Sequence, residues 1–217
     1  QAAHEARNEL NAARFKREEH VLFAALAWCA LADPTRGLRL ACAASHQWYR
    51  LADYSTGRHW LRRFVDAPGA DAMSRAAALH NLGLLEERCG AFQDSYPYLA
   101  RARDLYDVLG ESFEVAHTNV RLADLYYMTS GQPELAEALC RAALPAFEAV
   151  ADDTGMAWIY SVLGRACMGR RAQAEVERYF DLSYAHTVRS TDWHAQAWMY
   201  SVAGDFDLDF DHFARAE

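Results

Sequence analysis

Residues that interrupt helices are scarce in this sequence. Its 217 residues include only 11 glycines and 5 prolines, while alanine and leucine are abundant. An all-β chain needs many turns rich in glycine and proline, so their scarcity argues against that fold class. Hydrophobic residues make up 52% of the chain and aromatic residues 12%, which suffices to bury a substantial core. The composition therefore favours helix throughout.

Cysteine is also scarce, and it shows no pattern of the kind that binds metal or forms a disulfide framework. The five cysteines, an odd number, are Cys29, Cys42, Cys89, Cys140 and Cys167, and no two are spaced as Cys-x-x-Cys. Most of them lie within apolar helical patterns. Buried free thiols in a reducing cytoplasm explain this distribution best.

Long apolar runs and an excess of positive charge are absent too. No run reaches the roughly 18 apolar residues of a membrane-spanning helix and no signal peptide is visible, so we expect a soluble cytoplasmic protein. The formal net charge of −8 and the pI near 5.6 argue against nucleic acid as a direct partner. Because the sequence opens at Gln1 and closes on a helical pattern, we expect it to be part of a longer protein.

The clearest helical pattern runs from residue 76 to residue 110. Leu79 and Leu82 begin an apolar stripe at helical spacing, and a second stripe follows and ends at Gly110, a predicted C-cap. Gly83 stands inside the first helix, where glycine costs about 1 kcal/mol relative to alanine. A glycine in such a position usually marks a close approach of two helices. The segment therefore resembles the helical hairpin of a tetratricopeptide repeat (TPR).

The same periodicity divides the whole chain, read as one domain over 1–217, into helical segments. Their predicted boundaries are 1–33 for the N-terminal helices and 34–69, 71–110, 112–151, 153–190 and 191–217 for the hairpins. Residues 1–31 hold two helical patterns, a polar one to about Phe15 and an apolar one from Val21 to Leu31. Pro145 lies inside a predicted helix, where its missing N–H predicts a kink.

Small residues recur at comparable places of the predicted first helices. They are Ala43, Gly83, Ala123 and Gly164, separated by 40, 40 and 41 positions. In the last hairpin, alignment on the turn glycine puts Ala197 in this place and shortens the period to 33. Periods of this length are typical of a TPR-like solenoid. We therefore predict an all-α fold, a right-handed superhelical α-solenoid of antiparallel helix hairpins.

Three segments are similar to the TPR sensor region of bacterial STAND-type transcriptional regulators, the signal transduction ATPases with numerous domains. Glu19–Trp28 resembles the segment that opens that region, Trp48–Leu61 resembles its first hairpin, and Ala78–Gly90 continues the match. In these regulators a nucleotide-binding domain precedes the repeats, and a DNA-binding or other effector domain lies at one end. The resemblance implies a sensor or interaction module that works with ATPase and effector domains of the same polypeptide.

The sequence departs from that family at two points. His20 and Val21 stand where the opening segment usually has asparagine. No Gly-x-x-x-x-Gly-Lys-Ser/Thr phosphate-binding motif occurs, so the ATPase is not in this chain. The switch and the output of such a regulator would therefore belong to other domains.

First helices line the concave face of such a solenoid, and counting from the small residues gives the side chains that point inward. This face mixes aromatic rings, histidines and charges of both signs, which suits a peptide, a protein segment or a small polar ligand. The candidate binding residues are Trp48, His80, Glu87, Arg88, His117, Asp124, Tyr127, Trp158, Arg165 and Trp198. For the three tryptophans the alternative is that they fill gaps between hairpins, since large aromatic residues are mostly buried.

No residue pattern predicts a metal site, a cofactor site or a catalytic centre. His80 and His117 would supply only two ligands, and zinc sites need more. The alternating aspartates of Asp205–Asp209 open like a calcium loop, but Phe210 stands where that loop requires glycine. No Gly-x-Ser-x-Gly nucleophile motif occurs. We therefore expect no metal, no cofactor and no enzymatic activity.

The leading hypothesis is a ligand- or protein-binding sensor module of a larger signalling protein, a transcriptional regulator. A ligand that prefers one superhelical pitch would shift the population of states and so bias the attached ATPase. The first alternative is a constitutive protein–protein interaction scaffold that senses nothing. The second alternative is an enzyme whose site follows no recognised pattern.

Overall fold

Helices account for every regular element that the computed structural model describes. It describes residues 2–168, 173–190, 192, 196, 197 and 200, except for the side chains of 2–11 and 173. No strand occurs in that part of the chain, which confirms the all-α prediction. The helices are α1 (Ala2–Ala32), α2 (Pro34–Arg50), α3 (Tyr54–Phe64), α4 (Ala72–Arg88), α5 (Phe92–Leu109), α6 (Ser112–Leu125), α7 (Pro133–Val150), α8 (Asp153–Met168) and α9 (Gln173–Arg189). The predicted hairpin 191–217 lies almost entirely outside the described residues.

Capping residues in the sequence set the ends of several helices. The Asp33 side chain accepts a hydrogen bond from the Arg36 N–H at 3.0 Å, and Pro34 occupies the first position of α2. Gly110 follows α5 with a left-handed φ of 77°, a conformation that glycine adopts at little cost. Pro133 opens α7. The start at residue 34 and the end at Gly110 agree with the sequence prediction because capping depends on local residues rather than on tertiary contacts.

One continuous helix, α1, spans the N-terminal segment, so the expectation of two N-terminal helices is wrong. The stretch between the polar and apolar patterns contains no glycine or proline that would break the helix. Charged pairs about one turn apart bridge it: Arg14 contacts Glu18 at 3.2 Å, and Lys16 contacts Glu19 at 3.2 Å. Neither α1 nor any other described helix combines the length and apolar character that crossing a membrane requires.

The chain divides into two units, residues 1–111 and 112–217, which are described separately. In the first unit, α2 pairs with α3 and α4 pairs with α5 as helical hairpins. α2 also packs against α1 and α4. Its buried residues Leu38 and Trp48 join Leu61 in the core of this unit. The division between the units falls at the boundary of two predicted hairpins, after residue 111.

The second unit contains, over its described residues, the hairpins α6–α7 and α8–α9. Helix α8 is its central element, since it packs against α6, α7 and α9 and buries ten of its 16 residues. Val120, Phe147, Ile159 and Val162 belong to one apolar cluster. The core of this unit therefore lies between α6, α7 and α8.

Close helix approaches occur at two of the small residues that define the predicted repeat. A Cβ atom added to Gly83 would lie 2.5 Å from Leu99 Cγ, and one added to Gly164 would lie 2.8 Å from Phe180 Cε2. Ala123 is fully buried as well. At Gly83 and Gly164 the missing side chain lets two helices pack closely, as the sequence predicts.

Ala43 is exposed, so its assignment as the crossing residue of the first hairpin is wrong. Ala41 and Ala44 are buried instead. Spacing cannot choose among three alanines of the same size within one turn, whereas burial against neighbouring helices does. A close approach in this hairpin occurs at Gly37, where an added Cβ would lie 2.5 Å from Phe64 Cε1.

Helix α6 is followed directly by a π-helical turn, Tyr126–Ser130. Gly131 closes this turn with a left-handed φ of 56°. A π turn widens the helix by one residue and changes the direction of the side chains that follow it. Helix α7 continues through Pro145 to its end at Val150, and the expected kink stays a prediction.

The five cysteines are free thiols that differ in exposure. Cys29, Cys140 and Cys167 are buried, Cys42 is half-buried and Cys89 is exposed. Burial raises the pKa of the Cys42 thiol to about 12, which keeps it protonated at neutral pH. The expectation of buried thiols is therefore wrong for Cys89, which directly follows the last turn of α4.

The contact between Gly83 and Leu99 predicts a specific pattern of stabilities. Gly83→Ala should lower the free energy of unfolding by about 1–3 kcal/mol, because the new methyl group overpacks the Leu99 side chain. In a Leu99→Ala background, the same change should be neutral or stabilise by up to about 1 kcal/mol, since only the gain in helix propensity remains. Urea titrations of the four proteins measure this coupling. Equal costs in both backgrounds would contradict the close approach.

Candidate functional site

Two packed helices of the second unit, α6 and α8, carry polar and aromatic side chains that meet in pairs. Spacings of three, four and seven residues put each set on one side of its helix. We call this group of residues the α6/α8 face. It comprises His117, Arg121, Asp124, Tyr127, Trp158, Ser161 and Arg165.

An ion pair joins the two helices within this face. Arg165 Nη2 donates to Asp124 Oδ1 at 2.5 Å. The Asp124 side chain is 4% exposed and that of Arg165 is 14% exposed, so solvent screens the pair little. The Arg165 guanidinium also lies over the Tyr127 ring, 5.3 Å from its centroid. The ion pair and the ring contact together hold the guanidinium in one orientation.

Arg121 and Trp158 form a second contact between the helices. The Arg121 guanidinium carbon lies 4.1 Å from the Trp158 ring centroid, within cation–π range. Arg121 Nη1 is buried and has no hydrogen-bond partner among the described residues, and the same holds for Ser161 Oγ. A buried polar atom without a partner costs free energy.

His117 has apolar neighbours on two sides. Its ring stacks on Phe113 at a centroid distance of 6.4 Å and meets Phe147 edge-on at 6.1 Å. Burial, assisted by the positive charge of Arg121, lowers the pKa of His117 to about 4. The imidazole is therefore neutral at pH 7 and brings no charge to the α6/α8 face.

In the first unit, the predicted binding residues of α4 have different surroundings. His80 is buried, with its ring centroid 6.5 Å from that of Tyr106. Arg88 is half-buried, and its Nε donates to the Tyr49 hydroxyl at 2.7 Å. Glu87, next to it, is half-buried too. Like the two arginines of the α6/α8 face, Arg88 contacts an aromatic side chain.

The tryptophans are more deeply buried than a binding role requires. Trp48 is fully buried, and its ring contacts that of Phe15 at a centroid distance of 6.4 Å. Trp48 thus fills a gap between α1 and α2, and the structure gives no support to a binding role for it. Trp158 is 7% exposed and serves as the platform for Arg121. Trp198 lies outside the described residues.

Glu86, which is absent from the predicted site, is fully buried beside two arginines of α3. Its carboxylate contacts Arg58 Nη2 at 2.8 Å and Arg62 Nη2 at 2.5 Å. The two arginines are four residues apart and share one side of α3, a spacing that can indicate a common partner. The two ion pairs that Arg58 and Arg62 form with Glu86 connect α3 to α4.

The structure brings three of the predicted binding residues into direct contact, namely Asp124, Tyr127 and Arg165. Each is predictable as an inward-facing residue from its distance to Ala123 or Gly164. Their pairing is not predictable, because Asp124 and Arg165 lie 41 positions apart and pair only through the packing of α6 on α8. A groove that continues from these residues to those of α4 stays a prediction.

Comparisons with known proteins agree with this architecture. Residues 74–149 match the family model for the tetratricopeptide repeat. The crystal structure of BtubC (BKLC) from P. vanneervenii matches with a TM-score of 0.62 and 17% identity, over 97% of this chain and 89% of that one. A crystal structure of TPR-like repeats of a putative kinesin light chain from Podosopora anserina has a TM-score of 0.57 and 17% identity, over 81% of this chain and 90% of that one. No curated protein matches the sequence.

These likenesses establish the fold. Residues 74–149 resemble the tetratricopeptide repeat, and the likeness to the BtubC structure extends the solenoid fold over most of the chain. The predicted TPR-like α-solenoid is thereby confirmed. Repeats of this type stack into extended surfaces that bind proteins and peptides.

Breaking the buried ion pair from one side should be costly. Arg165→Met should lower the free energy of unfolding by about 3–5 kcal/mol, because it leaves the Asp124 carboxylate buried without a counter-charge. The double variant Asp124→Leu/Arg165→Met should regain most of this loss, since both charges are then replaced by apolar groups. Urea denaturation followed by circular dichroism measures both. A loss below about 1 kcal/mol for Arg165→Met would show instead that the pair is screened by water.

The low pKa of His117 predicts a loss of stability in acid. In the unfolded chain this residue takes up a proton near pH 6.5, but in the folded chain it does so only near pH 4. Its contribution is therefore complete above about pH 6.5 and falls by about 2 kcal/mol between pH 7 and pH 5. His117→Gln lacks this contribution and should lose less stability over that range. Parallel losses in urea titrations at the two pH values would contradict the neutral state of the half-buried imidazole.

Proposed function

We propose that this chain binds a peptide or protein segment through the α6/α8 face and serves as the sensor module of a larger signalling protein. The observation that carries the proposal is the arrangement of Arg121 and Arg165, each held against an aromatic ring on two packed helices. A guanidinium fixed in this way has lost most of its side-chain freedom before a partner arrives. Binding then costs less conformational entropy.

The chemistry of the face suits a polypeptide with exposed acceptor groups. Arg121 is half-buried, and its guanidinium carries donors that suit a carbonyl or carboxylate oxygen. The half-buried ring of Tyr127 adds apolar area to the same face. Arg165 is already paired with Asp124, so Arg121 is the residue whose guanidinium a partner engages first.

The role as a sensor is supported by the resemblance of Glu19–Trp28 and the hairpins after it to STAND-type regulators. A partner that prefers one packing of α6 against α8 shifts the population of states by its differential affinity. In the leading case the chain belongs to a transcriptional regulator. Its attached ATPase and effector domains would respond to that shift. The alternative is a constitutive scaffold, which needs the α6/α8 face but no second state.

Selection of peptides from a random phage-displayed library tests the binding role. Arg121→Ala should weaken the selected peptides by at least about tenfold, because it removes the donor and exposes the Trp158 ring. Arg141→Ala is the matched control, since Arg141 belongs to the same unit, is exposed and pairs with Glu137 of its own helix at 2.6 Å. Thermal melts of both variants verify that they fold. Unchanged binding by Arg121→Ala would place the functional surface elsewhere.

Hydrogen exchange of the peptide complex separates a sensor from a scaffold. A sensor should change the protection of α7 and α9 as well as that of α6 and α8, because the partner favours a different packing of the hairpins. A scaffold should protect only the helices that the peptide touches. Changes confined to α6 and α8 would therefore favour the scaffold.

A further inference from the structure

The groove between α1 and α2 is a surface independent of the α6/α8 face, and it lies wholly within the first unit. Its volume is about 500 Å³. Six apolar residues line it: Phe15, Val21, Leu22, Leu40, Ala43 and Ala44. Polar side chains of Arg14, Glu18 and Gln47 complete the lining. An apolar groove with a few charged neighbours is typical of a docking site for an amphipathic element.

In both units, a groove of the same kind is filled by a helix. α2 packs against both α3 and α4, and α6 packs against both α7 and α8. The contact of α2 is close, since Arg39 pairs with Asp71 at 2.8 Å and a Cβ on Gly37 would lie 2.5 Å from Phe64. α2 fills the groove between α3 and α4. α1 packs against α2 as α3 packs against α4, so the α1–α2 groove is the equivalent groove one step earlier in the array. An α-helix is therefore the element that fits it.

The C-terminal part of α1, residues 21–32, exposes apolar side chains where a helical array that ends in water carries polar ones. Val21 is 58% exposed, Trp28 is 55% exposed and Leu31 is 87% exposed. Their separations of seven and three residues place them along one side of α1. Val21 belongs both to this stripe and to the groove, so the apolar surface continues from the groove along the helix. Contiguous exposed apolar surface of this kind marks protein interaction sites.

The lining residues Arg14 and Glu18 balance each other, and the neighbouring Arg17 brings the net charge of this group to +1. One Glu18 oxygen lies 3.2 Å from Arg14 and 3.7 Å from Arg17, so a single carboxylate is shared by two guanidinium groups. Both arginines are largely exposed to solvent. Acidic residues on a docking helix would balance the remaining charge, whereas basic residues would be repelled.

We propose that the α1–α2 groove docks an amphipathic α-helix of a partner protein, with aliphatic residues on one face and acidic residues on its flank. The aliphatic face packs on Leu22 and Leu40, and the small side chain of Ala43 lets the two backbones approach. An extended segment fits less well, because α1 and α2 bond their backbone groups internally and offer no sheet edge. This site does not depend on the function proposed for the α6/α8 face.

The test uses the whole chain and a fluorescein-labelled, hydrocarbon-stapled peptide of about 18 residues, long enough to follow the groove. The peptide carries leucine and alanine on one face and glutamate on both flanks. Fluorescence anisotropy should show saturable binding. Ala43→Glu should weaken it by at least about tenfold, because a carboxylate then stands in the apolar groove and faces an acidic helix. Ala24→Glu is the matched control, an exposed alanine of α1 outside the groove lining, and should leave the affinity unchanged.

A peptide with the same apolar face but lysine on its flanks should bind at least about tenfold more weakly. Equal binding of the two peptides would overturn the assignment of an acidic partner. Absence of saturable binding, or equal binding of the acidic peptide to Ala43→Glu and to the unmodified chain, would overturn the docking site itself. Sedimentation equilibrium of the chain alone should show a monomer. A dimer that Ala43→Glu dissociates would assign the groove to a second copy and so overturn the proposal of a different partner.

Discussion

Contact between a glycine and a large apolar side chain of the next helix is the constraint on which the rest of the structure depends. It sets Gly83 of α4 against Leu99 of α5, and Gly164 of α8 against Phe180 of α9. Helices this close leave no space for polar side chains between them, so charged residues must use the remaining sides of each helix. The α6/α8 face occupies one such side, and its chemistry is a consequence of how tightly the hairpins close.

Buried charges in this protein specify which helices face each other. The Asp124–Arg165 pair joins α6 to α8, and Glu86 joins α4 to α3 through Arg58 and Arg62. Such pairs recover their desolvation cost only in part, so apolar residues could stabilise the same contacts as well. Removing one partner of such a pair leaves a buried charge without a counter-charge, so the pairs disfavour packings that separate α6 from α8 or α3 from α4.

The sequence predicts the helices well because the determinants are local. Gly110 and Pro133 act within a turn of the boundaries that they set, and apolar spacing reports the buried side of each helix. Which side of a helix packs against another helix is not determined by local residues alone. Nothing in the sequence says that Ala43 faces outward while its neighbour Ala44 is buried, since that depends on where α1 lies. Likewise, the burial of Trp48 depends on contacts with other helices, among them Phe15 of α1, 33 positions earlier in the chain, and Gly57 of α3.

The exposure of Cys89 has a practical consequence. All five cysteines lie in the described part of the chain, and Cys89 alone among them is exposed. Maleimide reagents react with accessible thiolates, and the half-buried Cys42 is held protonated by a pKa of about 12. The unmodified chain therefore carries one native attachment point for a dye or spin label, next to Arg88 at the end of α4. Distances from that point to a labelled partner can be measured without first removing any other cysteine.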